Sequence, residues 1–394
     1  MRFCLLTTFF PPQHFGGDAV LVAHLANALA GAGHEVHVVH CADSFDLLRG
    51  NVPESPFPLD PRVSVYAIRS PWGPLSPVLT YFSGRPLLKA RTLREILAQD
   101  FDVVHWHNVS LVGGPGALKF GKGVRLCTLH DYWFLCPTSI LFKYNREACI
   151  ERSCIRCTLA HNRLPAPWRA GDFLRHCIQH VDRFLSPSRF AAERHRNAGL
   201  GIDPTVLANF VPPVVRLEKQ GRGDYYLFAG RLVRAKGLQT ILPLFLNSGR
   251  RLLLAGAGDF EAQLRRMASS HPNIEFLGRV PFDRMPSLYA AARATLIPSI
   301  CYEVSPLTFL ESLQQGTPVI ASNFGALPEL AAQTGGGIVY SDVGQLQSIL
   351  KRFDNDDGFA SELGERGLKN LGPFTPEAHL KRYLEIVDEE KRRR

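Results

Sequence analysis

A strand–helix alternation that runs through the first forty residues, and starts again near residue 225, restricts the fold more than any other feature. Phe3–Thr7 is an apolar run, Pro11 to Gly17 reads as a loop, and Asp18 opens a stretch of helix formers. Val20, Leu21, Ala23, Leu25, Ala28 and Leu29 give that stretch an apolar stripe, Gly31 and Gly33 end it, and Glu35–His40 reads as the next strand. Further strands are predicted at Val63–Ile68, Val103–Trp106, Arg125–Leu129 and Arg183–Ser186. Strands that alternate with helices form a mostly parallel sheet covered on both faces. A break follows at 209–224, where Asn209-Phe-Val-Pro-Pro leads into the polar stretch Arg216–Asp224. The rhythm then resumes with strands at Tyr225–Ala229, Arg251–Ala255, Ile274–Leu277, Ala294–Pro298 and Pro318–Ala321. This pattern predicts two α/β, Rossmann-like doubly wound domains, 1–210 and 211–374. A ligand is expected in a central cleft at the carboxyl ends of their strands. The last segment, 375–394, reads as an amphipathic helix with Leu380, Tyr383, Leu384 and Val387 on one side, expected to pack back on the N-terminal domain.

The length of 394 residues suits two cores. With 45% hydrophobic and 21% charged residues, the composition excludes a disordered or fibrous chain. The longest apolar candidate for a membrane span, Ala19 to Gly33, is interrupted by His24 and Asn27 and falls short of the ~20 residues needed. The start, Met1 to Gln13, reads as a buried strand entering a Pro-Pro loop rather than a signal peptide, so a cytoplasmic location is expected. The net charge of +9 suits an anionic partner: nucleic acid, a phosphorylated small molecule or an acidic membrane surface.

Two stretches carry chemistry. In the first, Glu303 and Glu311 flank a Ser305-Pro306-Leu307 loop that leads into a helix. A helix start and its dipole favour a phosphate, and a carboxylate such as Glu311 suits ribose hydroxyls. The alternative reading makes both solvated carboxylates at a helix start. In the second, a strand ends at Gly230, Arg231 and Lys236 follow in a loop, and a helix begins near Gly237. An Arg fork and a Lys point charge suit a diphosphate whose charge grows as it leaves; the alternative is a pair of surface cations.

Together, Gly230-Arg231…Lys236-Gly237, the Glu303-x7-Glu311 element and the Gly316-Thr-Pro-Val-Ile-Ala-Ser strand resemble the retaining glycosyltransferases of the GT4 family, which have the GT-B fold. Gly16-Gly17, Leu129-His130-Asp131 and Leu185-Ser186-Pro-Ser188 extend the resemblance over nearly the whole chain. It implies a nucleotide-diphosphate sugar as donor and a glycan or lipid-linked acceptor, in surface polysaccharide or glycoconjugate synthesis. Arg231 and Lys236 would then hold the diphosphate, Glu311 the ribose, and Glu303 the donor sugar ring. The backbone of Ser305, Pro306 and Leu307 would meet the phosphate and sugar, where the family more often has Gly-rich residues. Gly16 and Gly17 would let the first loop approach the diphosphate, and His130 would lie near the transferred sugar. No catalytic divalent metal is implied by the resemblance. Other GT-B activities, a sugar-nucleotide epimerase or a phosphorylase, stand as alternatives.

Cys136, Cys149, Cys154 and Cys157 form a C-x12-C-x4-C-x2-C series directly after His130. Four thiolates suit a structural zinc clipping an insertion at about 132–160; the alternative is a set of unrelated thiols. A zinc-stabilised nucleic-acid-binding protein is the reading from another class. Against it, the basic residues are not interleaved with stacking aromatics on one element, so no nucleic-acid partner is expected. Arg85, Lys89, Arg91 and Arg94 accompany an apolar stripe, and residues 146–196 carry ten Arg against five acidic residues around Trp168, Phe173 and Leu174. Either segment suits peripheral contact with an anionic membrane or an ordinary surface helix packed on its sheet. His105 and His107, at a strand end, fit an acceptor-lining role or a structural one.

Overall fold

A computed structural model describes residues 1–48, 57–212, 214–217, 223–246 and 248–394. Of the predicted linker, Pro213 and residues 218–222 lie outside the described residues. Residue contacts divide the chain into two units: Met1–Ser139 with Asn162–Phe210 and Pro376–Arg394, and Ile140–His161 with Val211–Thr375.

In the first unit, β1 (Arg2–Leu6), β2 (Glu35–Cys41), β3 (Val63–Ile68), β4 (Val103–Trp106) and β5 (Val124–Thr128) are followed by a two-stranded hairpin, β6 (Phe142–Lys143) and β7 (Glu147–Ala148), that belongs to the second unit. The first sheet then closes with β8 (Arg183–Ser186) and β9 (Thr205–Val206), in the order β3-β2-β1-β4-β5-β8-β9, all parallel. Phe3, Cys4, Leu5 and Leu6 are fully buried, as expected of a strand covered on both faces. The helix Gly17–Gly31 buries Leu21, Val22, Leu25 and Leu29, with Asp18 in its first turn. Strand order reverses between β1 and β4, so the loops after those strands diverge and leave a crevice at their carboxyl ends.

The terminal helix Pro376–Arg393 belongs to this unit and buries His379, Tyr383, Ile386, Val387 and Glu390. Its buried face is rotated from the predicted one, leaving Leu380 and Leu384 half-buried. Arg183 Nε donates to Glu390 Oε1 at 2.8 Å, so a paired carboxylate takes an inward position that periodicity assigns to an apolar residue.

The basic segments are tied into the unit. Helix Ala90–Leu97 buries Leu93 and Leu97, Arg91 pairs with Glu95 at 2.7 Å, and the Arg94 guanidinium lies over Phe120. Lys89, expected on a basic surface, is instead 1% exposed, with Nζ donating to the Leu111 carbonyl at 2.6 Å and to Cys41 Sγ at 3.4 Å. Burial holds its ammonium below the usual lysine range. Arg169 stacks on both Trp133 and Trp168, Arg85 lies over Phe173, and Leu174 is buried. Among the described residues no helix is long and apolar enough to cross a membrane.

The second unit carries β10 (Tyr225–Ala229), β11 (Arg251–Ala255), β12 (Ile274–Gly278), β13 (Ala292–Ile297), β14 (Val319–Ser322) and β15 (Gly337–Tyr340). They are parallel, in the order β12-β11-β10-β13-β14-β15, so this sheet reverses between β10 and β13. Strand β15 was not predicted: two glycines precede the four-residue run Gly-Ile-Val-Tyr, which has no flanking pattern of its own. Tyr226, Phe228, Leu252, Leu254, Leu296 and Ile320 form the core on one face, under Leu242, Phe245, Leu346 and Leu350.

The cysteine segment departs from expectation. Residues 140–161 group with the second unit, where Phe142 packs with Ala235 and Cys301, flanked by Ile140, Val233 and Ile300. Cys136 remains in the first unit, with Sγ 3.2 Å from Thr138 Oγ1. Cys157 is buried and accepts the Tyr144 N–H at 3.3 Å, while Cys149 Sγ points to the Glu151 carbonyl at 3.6 Å and Cys154 is exposed. Among the described residues no group of three or more His, Cys, Asp or Glu is placed to hold a metal ion. The donor set therefore does not fit the tetrahedral zinc that the C-x2-C pair suggested. A helical turn places Cys154 and Cys157 in one short helix, Cys154–Ala160, but local packing sends their thiols to different surroundings.

Candidate active site

Lys236 and Glu303, one from each chemical stretch, meet where the second sheet reverses. Parallel pairing of β10 with β13 sets the loops that leave their carboxyl ends side by side. Ile300 N–H donates to the Ala235 carbonyl at 2.9 Å and ties the loops together. Across that seam Lys236 Nζ lies 2.6 Å from Glu303 Oε1. Ser299 Oγ donates to the same carboxylate oxygen, and the Ser299 carbonyl accepts from Ser322 Oγ at 2.5 Å. The Glu303 carbonyl accepts the Ala326 N–H at 2.8 Å. Gly325 lies so close that a Cβ there would stand 2.3 Å from the Glu303 nitrogen and oxygen. Burial alone would push the Glu303 carboxyl up, but Lys236, the Ser299 hydroxyl and the Arg231 charge outweigh it and hold the group below its ordinary value. Glu303 is therefore a carboxylate at neutral pH, 8% exposed.

The sign of that shift gives a pH prediction. A depressed folded-state carboxyl contributes stability that is present above its ordinary value of 4.5 and is lost as pH falls through the folded value. Melting curves across the acid range should show wild-type stability falling through this window. Glu303→Gln should flatten that part of the profile, and an unchanged slope would exclude the pair as its source.

Arg231 follows Gly230 at the end of β10 and is exposed. Ser305 and Leu307 stand at the start of the helix Leu307–Gln314, where the Pro306 carbonyl accepts the Phe309 N–H at 3.1 Å. Pro306 has no N–H, so within this triplet only the backbone amides of Ser305 and Leu307 can donate to an anion. Glu311 lies in the second turn, and Tyr289 Oη donates to its Oε2 at 2.8 Å. Burial pushes the Glu311 carboxyl above its ordinary value, and the tyrosine hydrogen bond offsets part of that rise. Glu311 lines a groove with Phe282, Met285, Tyr289, Gln314 and Gln315. Ser299, Tyr289 and Gly325 were not singled out from sequence: Ser299 reaches Glu303 by a fold within one loop, Tyr289 reaches Glu311 from the helix Met285–Ala291, and Gly325 approaches Glu303 from the loop after β14.

The first unit presents a matching set at its own reversal point. The loop after β1 is held to the loop after β4 by Thr8 Oγ1, which donates to the Asn108 carbonyl at 3.0 Å. Gly16 precedes the helix Gly17–Gly31 with extended backbone at φ 174°, and a Cβ placed on it would meet nothing within 4 Å. Neither backbone strain nor packing among the described residues requires glycine there. His130, just past β5, is half-buried, and burial pushes its imidazole down to about 4, so it is neutral at physiological pH. Asp131 next to it is pushed up to about 7 by burial, although it accepts the Trp133 N–H at 2.8 Å.

Two doubly wound sheets, each with polar groups gathered at its reversal point, define the architecture of a GT-B glycosyltransferase. Sequence comparison places the chain within that class. Residues 15–214 match the family described as Glycosyltransferase Family 4, and residues 215–369 match Glycosyl transferases group 1. The chain belongs to glycosyltransferase family 4. The O-antigen chain mannosyltransferase B of Escherichia coli is 29% identical over 173 residues, 41% of this chain and 45% of that protein. The chain thus spans less than half the length of that relative. Sucrose-phosphate synthase from Thermosynechococcus elongatus has the same fold, with a TM-score of 0.73 at 19% identity over 98% of both chains. So does HepE of Anabaena in complex with UDP, with a TM-score of 0.68 at 15% identity over 99% of this chain and 100% of that one.

Proposed function

We propose that the protein is a retaining glycosyltransferase that moves a sugar from a nucleoside-diphosphate donor to a glycan or lipid-linked acceptor hydroxyl in polysaccharide or glycoconjugate synthesis. The observation that carries this reading is the Lys236–Glu303 pair, on which the Arg231 charge also acts. It gathers cations for a diphosphate next to a fixed carboxylate for the sugar ring. The bound UDP of the HepE complex and the mannosyltransferase relative support a nucleotide-sugar donor.

In this reading Arg231 and Lys236 hold the diphosphate, Glu303 accepts from hydroxyls of the donor sugar, and Glu311 accepts from the ribose. The space at Gly16 and Gly17 admits the diphosphate, and His130 donates to the transferred sugar. The bond between the anomeric carbon and the leaving diphosphate oxygen breaks, and a bond to the acceptor oxygen forms on the same face. The acceptor proton passes to the departing diphosphate, whose added charge Arg231 and Lys236 stabilise. Peripheral contact with an anionic membrane, placing the enzyme near lipid-linked acceptors at the inner face, is part of this proposal.

A panel of UDP-, GDP- and ADP-sugars tests it. One nucleotide class should raise the melting temperature in a concentration-dependent way, and mass detection should find the sugar on a lipid-linked acceptor. Protection by none of them would remove the transferase reading of this site.

A further inference from the structure

Three histidines form a contiguous set in the first unit, and the site described above uses only one of them. His105 lies in β4 and His107 follows two residues later, so both rings stand on the same side of the sheet, 3.9 Å apart between centroids. His105 is pinned at both nitrogens, with Nε2 2.8 Å from Thr128 Oγ1 and Nδ1 3.0 Å from Tyr383 Oη. His107 Nδ1 is 2.9 Å from His130 Nε2, and the two rings stack at 20°. His107 is 7% exposed, and its Nε2 is enclosed with no hydrogen-bond partner among the described residues.

That enclosed nitrogen decides where the protons are. Burial holds both His107 and His130 well below the ordinary imidazole value, so each ring carries one proton. If His130 donated from Nε2, His107 would accept at Nδ1 and carry its own proton on Nε2, leaving a buried N–H with no acceptor. A buried N–H without a partner is rarer and more costly than a buried lone pair without one. The lower-energy arrangement places the His107 proton on Nδ1, donated to His130 Nε2. His130 then keeps its proton on Nδ1.

We propose that His107 is a positioning residue that fixes His130 in the Nδ1-protonated tautomer, so that His130 offers an N–H donor, and not a lone pair, to the transferred sugar. The His105 ring, held between Thr128 and the terminal-helix residue Tyr383, keeps the His107 ring from turning. The inference rests on the transferase reading for what His130 touches, but the tautomer itself is measurable without any substrate.

The test uses the full chain labelled with ¹⁵N-histidine, with tautomers read from two-bond ¹⁵N–¹H correlations and His130 assigned by its loss in His130→Gln. His130 should be protonated at Nδ1 with Nε2 bare. His107→Phe should move a substantial fraction of the proton to Nε2 and lower kcat at least tenfold, with donor KM changed less than twofold. His107→Asn, whose amide nitrogen can stand in for Nδ1, should restore both the tautomer and most of kcat; a purely structural role would not be rescued in this way. Protonation of wild-type His130 at Nε2, or an unchanged His130 tautomer in His107→Phe, would overturn the proposal. Transfer by a wild type protonated at Nε2 would do so while leaving the transferase reading intact.

Discussion

Lys236→Ala is expected to lower kcat roughly 10²–10³-fold, the usual cost of removing one preorganised group that meets charge developing on a leaving group. The same change leaves Glu303 enclosed without its cation. Breaking a buried pair by deleting one member costs about 3 kcal/mol, and the side chains here are 22% and 10% exposed. The two effects separate in the double variant Lys236→Ala/Glu303→Gln. Its melting temperature should recover toward wild type because no unpaired charge remains, whereas turnover should stay low. Recovery of turnover along with stability would show that Lys236 serves the fold and not the leaving group.

Gly237→Ala should be the most damaging single-methyl change at the site. Gly237 sits at φ +74°, a conformation that L side chains rarely adopt, and an added Cβ would lie 1.8 Å from the Pro298 carbonyl oxygen. That carbonyl belongs to the loop bearing Glu303, so the methyl cannot be accommodated without parting the two loops. A loss of about 3 kcal/mol is expected from strain and displacement together. Donor protection in the thermal panel should vanish in the same variant. Gly16→Ala is the contrast, since its Cβ meets nothing within 4 Å. It should melt like wild type while weakening donor binding, and a stability loss at Gly16 would refute the distinction between the two glycines.

Much of this was legible in the sequence. The strands at Val103–Trp106, Arg183–Ser186, Tyr225–Ala229 and Arg251–Ala255 coincide with the predicted runs, because strands buried on both faces leave unbroken apolar segments, and the edge strand Val63–Ile68 coincides as well. Glu303, Arg231 and Lys236 stood out because charged residues beside such a segment have few structural reasons to be there. What escaped was what tertiary packing creates. Gly325 is an ordinary residue until β14 packs beside β13, and Tyr289 until the helix Leu307–Gln314 packs beside its own. Lys89 reads as a surface cation until the Leu111 carbonyl accepts its hydrogen bond. The cysteine spacing is a count along the chain and says nothing about the boundary at Ser139/Ile140, which puts Cys136 in one unit and Cys149, Cys154 and Cys157 in the other.

That division also bears on how the protein is made. The first unit needs Pro376–Arg394, whose Tyr383, Ile386 and Val387 are fully buried in it, yet these residues leave the ribosome after all of Val211–Thr375. Its sheet must wait, part of its apolar surface uncovered, while an entire second sheet is synthesised. At about 5–20 residues per second, those intervening residues impose a delay on the order of ten seconds or more. The interval is a window in which chaperone binding or premature aggregation competes with completion of the fold. Nascent chains stalled before Pro376 should be more protease-sensitive across β1 to β5 than released ones.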